Sequence, residues 1–284
     1  MRCLVLGGTG MLGQAVVREA RARGHAALGL SHAQADVADR PRLLHWADSF
    51  RPDVVVNCAA FTKVDACETE TETAFRVNGE AVANVAAAAD RAGARLVHVS
   101  SDYVFDGTAR EPYREDDATG PLSVYGRSKL QGERHALAYP KGLAVRTSWL
   151  FGPGGPNFAA TMVALIRQGK LPLRVVDDQV GRPTYTGFLA RALVDLAPLA
   201  VTGVVHYGNR EPVSWYAFAT AIARLVPGRA EVLPVTTAEF PRPAPRPAYS
   251  VLAVERFEEA AGRPVEPWEA GLAEYLASIY GGRS

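Results

Sequence analysis

The sequence predicts an α/β fold in which a doubly wound parallel sheet is followed by a smaller C-terminal domain. In the first 150 residues, short apolar runs alternate with longer segments whose apolar residues recur at helical spacing. The breaker cluster at residues 152–156 (Gly-Pro-Gly-Gly-Pro) interrupts this alternation, and Pro and Gly are more frequent after it. The length of 284 residues is enough for about two domains of roughly 150 residues.

Each element is predicted from its own pattern. The strands are expected at residues 3–6, 26–30, 54–57, 96–99 and 143–147. The helices are expected at residues 11–23, 41–50, 70–91, 123–139 and 266–280. Pro41 begins the second helix, and Gly93 follows the end of the third. Residues 241–247 alternate proline with other residues and are therefore expected to be extended.

Composition excludes several classes of protein. With 31 basic and 30 acidic residues, the net charge is +1, which argues against a nucleic-acid partner. Three cysteines are too few for a disulfide framework, and none of them has zinc-finger spacing, so a cytoplasmic location is expected. No apolar run approaches the roughly 18 residues that cross a bilayer, so no membrane association is expected.

A glycine-rich loop, Gly7-Gly8-Thr9-Gly10-Met11-Leu12-Gly13, joins the first predicted strand to the first predicted helix. It satisfies both G-x-G-x-x-G and G-x-x-G-x-x-G. Such a loop turns tightly, lets a pyrophosphate approach the backbone and presents the free N–H groups of a helix N-terminus. A plain glycine turn would look similar in isolation, but the strand–loop–helix context indicates a Rossmann-type dinucleotide site.

The residues after the second strand bear on the choice of cofactor. A site that prefers NAD usually has an acidic residue at this strand end, where it accepts a hydrogen bond from the ribose 2′-OH. Here Leu30 is followed by Ser31 and His32, and Asp36 comes several residues later. The pattern therefore favours NADP, and use of NAD stays open.

Tyr125 and Lys129 are four residues apart on a predicted helix and so lie on one face of it. Ser101 follows the fourth predicted strand at its carboxyl end, where open α/β sheets bind ligands. A nearby ammonium is expected to lower the pKa of a tyrosine, and a serine hydroxyl can hold a carbonyl. The alternative is an amphipathic pair in which the lysine extends its ammonium to solvent.

These motifs resemble those of the extended short-chain dehydrogenase/reductase family, and the resemblance covers nearly the whole chain. The glycine loop and the Tyr125/Lys129 pair are shared by the superfamily. Three segments are more specific: Asp102-Tyr103-Val104-Phe105, Arg146-Thr147-Ser148-Trp149 and Asp178-Gln179-Val180-Gly181-Arg182-Pro183-Thr184.

The resemblance implies an NAD(P)-dependent oxidoreductase that reduces the C4 keto group of a nucleotide sugar, dTDP-4-dehydro-L-rhamnose, to give dTDP-L-rhamnose. The implied catalytic residues are Ser101, Tyr125 and Lys129, with Tyr125 as the proton donor. The implied cofactor-binding residues are Gly7, Gly10, Met11, Leu12, Gly13, Asp36, Val37, Ala59, Ala60, Asn78, Tyr125 and Lys129. The implied substrate-binding residues are Ser101, Asp102, Tyr103, Trp149, Asn157, Gln179 and Arg246.

The same resemblance implies a division of the chain. Residues 1–150 are expected to form the Rossmann-type dinucleotide-binding domain. Residues 151–284 are expected to form mainly the sugar-nucleotide-binding domain, with some segments returning to the first. The active site would then lie in the cleft between the two domains.

Alternative functions remain at this point. Relatives that dehydrate a nucleotide sugar carry an Asp-Glu pair after the strand-end hydroxyl, whereas here Tyr103 follows Asp102, which argues against a dehydratase. A reductase or an epimerase of another nucleotide sugar is still compatible. So is a non-catalytic dinucleotide-binding subunit resembling the regulatory subunit of methionine adenosyltransferase, although such a protein need not keep the Ser-Tyr-Lys set.

Two further expectations concern metal and partners. Some relatives dimerise through a metal held by glutamates, one of them just after the glycine loop, but here that stretch begins with Gln14. No metal is therefore expected, and a homodimer is possible. Arg242 and Arg246, set between prolines, are expected to face the nucleotide, because a guanidinium suits a pyrophosphate. The alternative is a polyproline ligand for a recognition domain.

Overall fold

The computed structural model describes residues 1–228 and 230–280. The strands are, in chain order, β1 (Arg2–Leu6), β2 (Ala26–Leu30), β3 (Val54–Asn57), β4 (Arg95–Ser101), β5 (Gly142–Thr147), β6 (Leu150–Phe151), β7 (Leu173–Val176), β8 (Val180–Gly181), β9 (Thr184–Tyr185), β10 (Gly203–His206), β11 (Val213–Ser214) and β12 (Val232–Val235). The helices are α1 (Met11–Ala22), α2 (Arg40–Phe50), α3 (Val64–Cys67), α4 (Thr71–Ala74), α5 (Ala81–Arg91), α6 (Val124–Leu137), α7 (Phe158–Arg167), α8 (Thr186–Leu196), α9 (Trp215–Leu225), α10 (Glu255–Ala261) and α11 (Trp268–Tyr280).

A six-stranded sheet in the order β2-β1-β3-β4-β5-β10 forms the centre of the molecule, and every pair of neighbours is parallel. The chain winds from β1 outward to β2, then returns past β1 to β3 and continues in the opposite direction. The predicted α/β fold with a doubly wound parallel sheet is confirmed. The reversal of winding between β1 and β3 opens a crevice at their carboxyl ends.

Both faces of the sheet are buried, which is why its strands are continuous apolar runs. Along β1, Cys3 and Val5 point into one hydrophobic cluster, while Leu4 and Leu6 point into another. The first cluster includes side chains of α1 and α8, and the second includes those of α2 and α5. The alternation of side chains along a strand thus places helices on both sides.

The long alanine-rich helix predicted at residues 70–91 is interrupted by a π-helical turn at Phe75–Glu80, between α4 and α5. This π-helical turn packs closely against helix α6. A Cβ on Gly132 of α6 would collide with the Asn78 carbonyl, so only glycine allows this approach. The side-chain Nδ2 of Asn78 also donates to the Phe61 carbonyl at 3.0 Å and to Ser128 Oγ at 3.1 Å. The π turn therefore joins α6 to the loop after β3.

The second half of the chain adds three small two-stranded sheets, β6–β9, β7–β12 and β8–β11, together with α7 to α11. β10 pairs with β5 in register, from Gly203 beside Leu143 to His206 beside Arg146, and so extends the central sheet. The predicted terminal helix is confirmed as α11, and the proline-rich segment 241–247 is non-helical as predicted. No helix within residues 1–228 and 230–280 is both long and apolar enough to cross a membrane.

Candidate active site

A cavity of about 640 Å³ lies at the carboxyl ends of β1, β3, β4 and β5, beside the reversal of winding. Residues from the glycine loop, from the strand ends and from both sides of the breaker cluster line it. The lining residues predicted from the sequence are Gly10, Met11, Leu12, Gly13, Ala60, Ser101, Asp102, Tyr103, Tyr125, Lys129 and Trp149. Other lining residues, which were not predicted, include Cys58, Thr62, Val64, Phe158 and Trp215.

The glycine loop has the geometry that its sequence predicts. Gly7 adopts φ +71°, a conformation that favours glycine, and a Cβ there would lie 2.8 Å from the Ala59 nitrogen. A Cβ on Gly13 would collide with the Gly7 carbonyl. The loop therefore packs directly against the turn after β3, and α1 begins at the cavity with its first N–H groups free. This cradle fits the pyrophosphate of a dinucleotide.

The loop after β2 carries the carboxylate of Asp36, which faces Arg76 of the π-helical turn. Asp36 is one-third exposed, with Oδ2 at 4.0 Å from the Arg76 guanidinium and Oδ1 at 3.8 Å from His32 Nδ1. The same Oδ1 accepts from the Ala38 amide at 3.0 Å, while Val37 is buried. This loop lies beside the glycine loop, because the Gly8 amide donates to the Leu30 carbonyl at 2.8 Å. The role of Asp36 and Val37 in holding the cofactor stays a prediction.

Helix α6 carries Tyr125 and Lys129 into the cavity wall. The Ser123 hydroxyl caps its N-terminus by accepting from the Gly126 amide at 3.1 Å, and the Val124 amide donates to Glu68 at 2.8 Å. Lys129 is only 2% exposed, and its Nζ donates to the Val99 carbonyl at 2.6 Å. The alternative in which this lysine reaches solvent is therefore wrong.

The approach of α6 to Ser101 depends on a glycine. A Cβ on Gly126 would collide with the Tyr103 carbonyl, in the 3₁₀ turn that follows β4. The rings of Tyr103 and Tyr125 meet edge to face with centroids 5.5 Å apart. Ser101 Oγ donates to Asp102 at 3.0 Å and accepts from the Tyr103 amide at 3.2 Å. Ser101, Tyr125 and Lys129 thus line one cavity wall.

Burial dominates the electrostatics of these groups. It raises the pKa of Tyr125 well above the ordinary value, against a smaller opposing effect of the nearby Ser101 hydroxyl. Burial lowers the pKa of Lys129 to about 8, while the charge of Glu133 opposes that decrease. The expectation that an ammonium lowers the pKa of Tyr125 is wrong here, because burial acts more strongly and Lys129 Nζ is directed to a carbonyl.

Asp102 is a second buried acid in the cavity wall. It is 2% exposed, and burial raises its pKa to about 6, against hydrogen bonds from Ser250 and Ser101. The phenol of the adjacent Tyr103 also has a raised pKa because of burial, and Arg246 partly opposes that increase. At neutral pH the wall therefore offers two neutral phenols, Tyr103 and Tyr125, together with the Asp102 carboxylate.

An aromatic wall faces the helix that carries Tyr125. Trp149 adopts φ +48° and stacks on Trp215 with ring centroids 3.5 Å apart and planes 7° from parallel. A Cβ on Gly181 would lie 2.5 Å from Cε2 of the Trp149 indole, so glycine is needed behind the ring. Phe158 packs on Trp215 with centroids 4.5 Å apart. The Trp149 indole is therefore held in one orientation.

Several predicted residues lie outside the cavity lining and make internal hydrogen bonds. Asn157 caps α7 by accepting from the Ala160 amide at 2.9 Å and donates to the carbonyls of Gly152 and Gly155. Gln179 donates to Thr237 Oγ1 at 2.9 Å. Ala59 contacts the glycine loop, and Asn78 accepts from the Phe61 amide at 2.7 Å. These residues support the loops that form the cavity, and their contact with a ligand stays a prediction.

The proline-rich segment is held to helix α3 through Asp65. Arg246 donates to Asp65 Oδ1 at 3.0 Å, and Arg242 lies 3.8 Å from Asp65 Oδ2. These cations, and hydrogen bonding from the Ala244 amide, hold the pKa of Asp65 below its usual value despite partial burial. Arg246 is mostly buried and close to Tyr103, whereas the Arg242 side chain is half-exposed. Arg246 therefore lies at the edge of the cavity.

The described part of the chain contains no group of three or more His, Cys, Asp or Glu side chains that could hold a metal ion. Gln14, which stands just after the glycine loop, donates to the Thr9 carbonyl at 2.6 Å. Its amide therefore braces that loop.

Comparison with known proteins agrees with this geometry. The family model described as RmlD substrate binding domain matches residues 1–280. The chain is 42% identical over 276 residues to the spore coat polysaccharide biosynthesis protein SpsK of Bacillus subtilis, covering 97% of this chain and 96% of that protein. It is 41% identical over 288 residues to the dTDP-4-dehydrorhamnose reductase of Streptomyces griseus, covering 99% and 94%.

A solved structure supports the same relationship. The dTDP-4-dehydrorhamnose reductase of Bacillus anthracis in complex with NADP superimposes with a TM-score of 0.93 at 34% identity, covering 98% of this chain and 99% of that one. The similarity extends over both the parallel sheet and the later segments, so the whole chain shares one architecture with these relatives. The resemblance drawn from the motifs is confirmed, and the chain belongs to the family described as RmlD substrate binding domain.

Proposed function

We propose that the protein is an NAD(P)H-dependent oxidoreductase that reduces the C4 keto group of dTDP-4-dehydro-L-rhamnose to give dTDP-L-rhamnose. The observation that carries this proposal is a single cavity lined by the glycine loop, by Ser101, Tyr125 and Lys129, and by Trp149. A dinucleotide cradle and a buried proton donor on one cavity are what carbonyl reduction requires. The names of the reductase relatives support the substrate.

The residues present fit a nicotinamide dinucleotide. The main chain from Gly7 to Gly13 would hold the pyrophosphate. Side chains at Gly7 or Gly13 would collide with neighbouring backbone atoms of this cradle. Lys129, whose ammonium lies in the cavity wall, would hold the nicotinamide ribose. When bound, the reduced nicotinamide supplies a hydride to the carbonyl carbon. NADP is favoured because the chain has no carboxylate directly after β2 and because a reductase relative binds NADP.

Tyr125 would complete the reduction by giving its proton to the carbonyl oxygen. The pKa of this phenol lies above neutrality, so the group is protonated at neutral pH and holds the proton that the carbonyl oxygen must receive. The Ser101 hydroxyl lies beside Tyr125 and would hold the carbonyl oxygen in reach. The Tyr103 amide holds the Ser101 oxygen in place, and the single hydroxyl proton, now donated to Asp102, would turn to the carbonyl oxygen when the sugar binds. The protein thus supplies a positioned acid and a positioned oxygen ligand.

The same wall argues against dehydration of the sugar. Elimination across C5 and C6 would need a base as well as an acid, and Tyr103 takes the place of the expected carboxylate. Burial raises the pKa of Tyr103, so this phenol stays protonated at neutral pH and offers no phenolate to act as a base. Asp102 alone remains as a carboxyl group on this segment. We therefore assign simple reduction of the carbonyl. A homodimer and a cytoplasmic location stay predictions.

The assay is oxidation of NADPH or NADH, followed by the loss of nicotinamide absorbance, with dTDP-4-dehydro-L-rhamnose as substrate. We expect steady oxidation that stops when the sugar is exhausted. Cofactor binding without oxidation would support a dinucleotide-binding regulatory protein instead. Oxidation with a different nucleotide sugar, and none with this one, would keep the reductase and change its substrate.

The substitution Trp215→Ala is expected to raise the KM for the nucleotide sugar about 10-fold, with a smaller change in kcat. Trp149 loses its stacked partner, and an aromatic pair of this kind is worth about 0.5–1.5 kcal/mol beyond its area. Steady-state kinetics at saturating NADPH measure the effect. Tyr216→Ala, at the next position of α9 and outside the cavity lining, is the matched control. An unchanged KM in Trp215→Ala would contradict a role for this pair in binding.

A further inference from the structure

A buried ion pair lies one helical turn beyond Lys129. The Arg146 guanidinium of β5 contacts both carboxylate oxygens of Glu133 in α6, with Nη2 2.6 Å from Oε1 and Nε 2.9 Å from Oε2. The exposed fractions of the two side chains are 4% and 3%. Ser100 Oγ of β4 donates to Oε2 at 2.8 Å. The Glu133 carboxylate therefore joins α6 to the two strands whose ends form the cavity.

The other terminal nitrogen of Arg146, Nη1, also has partners. Nη1 lies 3.3 Å from His206 Nε2 of β10 and donates to the Glu115 carbonyl at 3.3 Å. His206 Nδ1 lies 3.1 Å from the Tyr113 carbonyl, so Nδ1 donates and the neutral ring accepts from Arg146 at Nε2. Burial lowers the pKa of His206 to about 3, which keeps the ring neutral. Both carboxylate oxygens of Glu133 and all three guanidinium nitrogens of Arg146 thus have hydrogen-bond partners.

Glu133 is also the acidic neighbour of Lys129. Tyr125, Lys129 and Glu133 follow one another at four-residue intervals and share one face of α6. The other titratable groups that face Lys129 are His98 of β4 and Cys58, which follows β3. His98 is neutral, since burial lowers its pKa, and burial raises the pKa of the Cys58 thiol to about 12. Glu133 is therefore the anion among these groups at neutral pH.

We propose that Glu133 is a positioning residue, whose carboxylate fixes α6 against β4 and β5 and supplies the negative charge that keeps the buried Lys129 ammonium charged. Ser100, which donates to this carboxylate, directly precedes Ser101, so one anion aligns Ser101 and Lys129 together. Stability alone is a weak reason for such a pair, because apolar side chains of the same size often stabilise a core equally well. The catalytic importance of Glu133 rests on the proposed function.

The sign of the effect follows from the charges. An unpaired lysine in the wall loses its proton more easily, because burial favours the neutral amine. Removing the Glu133 charge removes the attraction that opposes this loss, and it leaves the Arg146 cation without a counter-charge. Both changes disfavour the ammonium. The protonation midpoint of Lys129 must therefore move to lower pH in a variant without the carboxylate.

The chain has only four lysines, Lys63, Lys129, Lys141 and Lys170, so lysine side-chain NMR can observe the titration directly. The protein is labelled with ¹³C at lysine Cε, and the signal missing from Lys129→Arg identifies Lys129. We expect Glu133→Gln to lower the midpoint of Lys129 by about one pH unit. Glu133→Asp keeps the charge and is expected to leave the midpoint within about a third of that shift.

The proposal is overturned if Glu133→Gln titrates like the wild type, or if Glu133→Asp shifts as far as Glu133→Gln. Should the unpaired Arg146 prevent folding of Glu133→Gln, the double variant Glu133→Gln/Arg146→Gln leaves no unpaired charge and must show a decrease of the same sign. The titration needs no sugar substrate, so it stands if the proposed reaction fails. If that reaction holds, the alkaline limb of kcat/KM must move with the midpoint.

Discussion

The substitution Tyr125→Phe is expected to lower kcat by about 10²- to 10⁴-fold, the usual contribution of a general acid. The phenol is the protonated group that lies beside Ser101, and phenylalanine keeps the ring but removes the proton. The ring contact with Tyr103 involves no hydroxyl and should persist. Steady-state turnover with saturating NADPH and nucleotide sugar measures the loss.

Cofactor affinity separates this effect from a folding defect. The Kd for NADPH should change little in Tyr125→Phe, because the glycine loop and Lys129 are untouched. Tyr139→Phe is the matched control. Tyr139 lies just after the same helix, and its hydroxyl donates to the Ala94 carbonyl away from the cavity. Turnover near the wild-type rate in Tyr125→Phe would remove Tyr125 from the role of proton donor.

The substitution Gly13→Ala is expected to weaken NADPH binding by at least about 10-fold and to lower stability by about 1–3 kcal/mol, the usual cost of an added methyl in a packed site. The new Cβ would collide with the Gly7 carbonyl. Relief of that collision must separate the start of α1 from the Gly7 turn, and the backbone cradle loses its shape. Fluorescence titration with NADPH and thermal unfolding measure the two effects.

Gly120→Ala is the control for Gly13→Ala. Its Cβ would lie 3.2 Å from the Asp106 Cβ, a milder contact in a segment that does not line the cavity. We expect unchanged affinity for NADPH in this variant. Equal affinities in wild type and Gly13→Ala would show that the cofactor does not depend on the geometry of this loop.

The first half of the fold follows from the sequence because its signals are local. The strands β2 and β3 begin and end at the predicted residues, since each is a short apolar run between clear turns. The later segments gave weaker signals. β8 and β9 are two residues long and depend on pairing with distant strands, which no local pattern reveals. The π turn at Phe75–Glu80 likewise depends on contact with α6.

The residues of the candidate site likewise fall into those that local sequence patterns predict and those that depend on the tertiary fold. The glycine loop, Ser101, Tyr125 and Lys129 are found from spacing, because the chemistry requires those residue types at those intervals. Trp215 was missed, because its place opposite Trp149 depends on how the second half folds back on the sheet. Spacing also gave the wrong direction for the pKa of Tyr125, since burial, which spacing does not report, outweighs the charge of a lysine.

Glu133 shows what the structure adds to a sequence pattern. Its interval from Lys129 is visible in the sequence, but a glutamate on a helix is usually a solvated residue. Only the fold brings Arg146 of the adjacent strand onto both carboxylate oxygens. Glu133 is therefore a buried residue that supports the cavity wall, and not a solvated residue on the surface of a helix.

Transfer of deuterium from NADPH that carries deuterium at both C4 positions of the nicotinamide tests the central claim most directly. Incubation with dTDP-4-dehydro-L-rhamnose should give dTDP-L-rhamnose with one deuterium at C4 of the sugar, as seen by NMR, and one equivalent of NADP. Tyr125→Phe should form this product at least about 10²-fold more slowly. Bound cofactor that stays reduced in the presence of the sugar, or product without deuterium at C4, would contradict the assignment of this protein as a C4 keto-reductase.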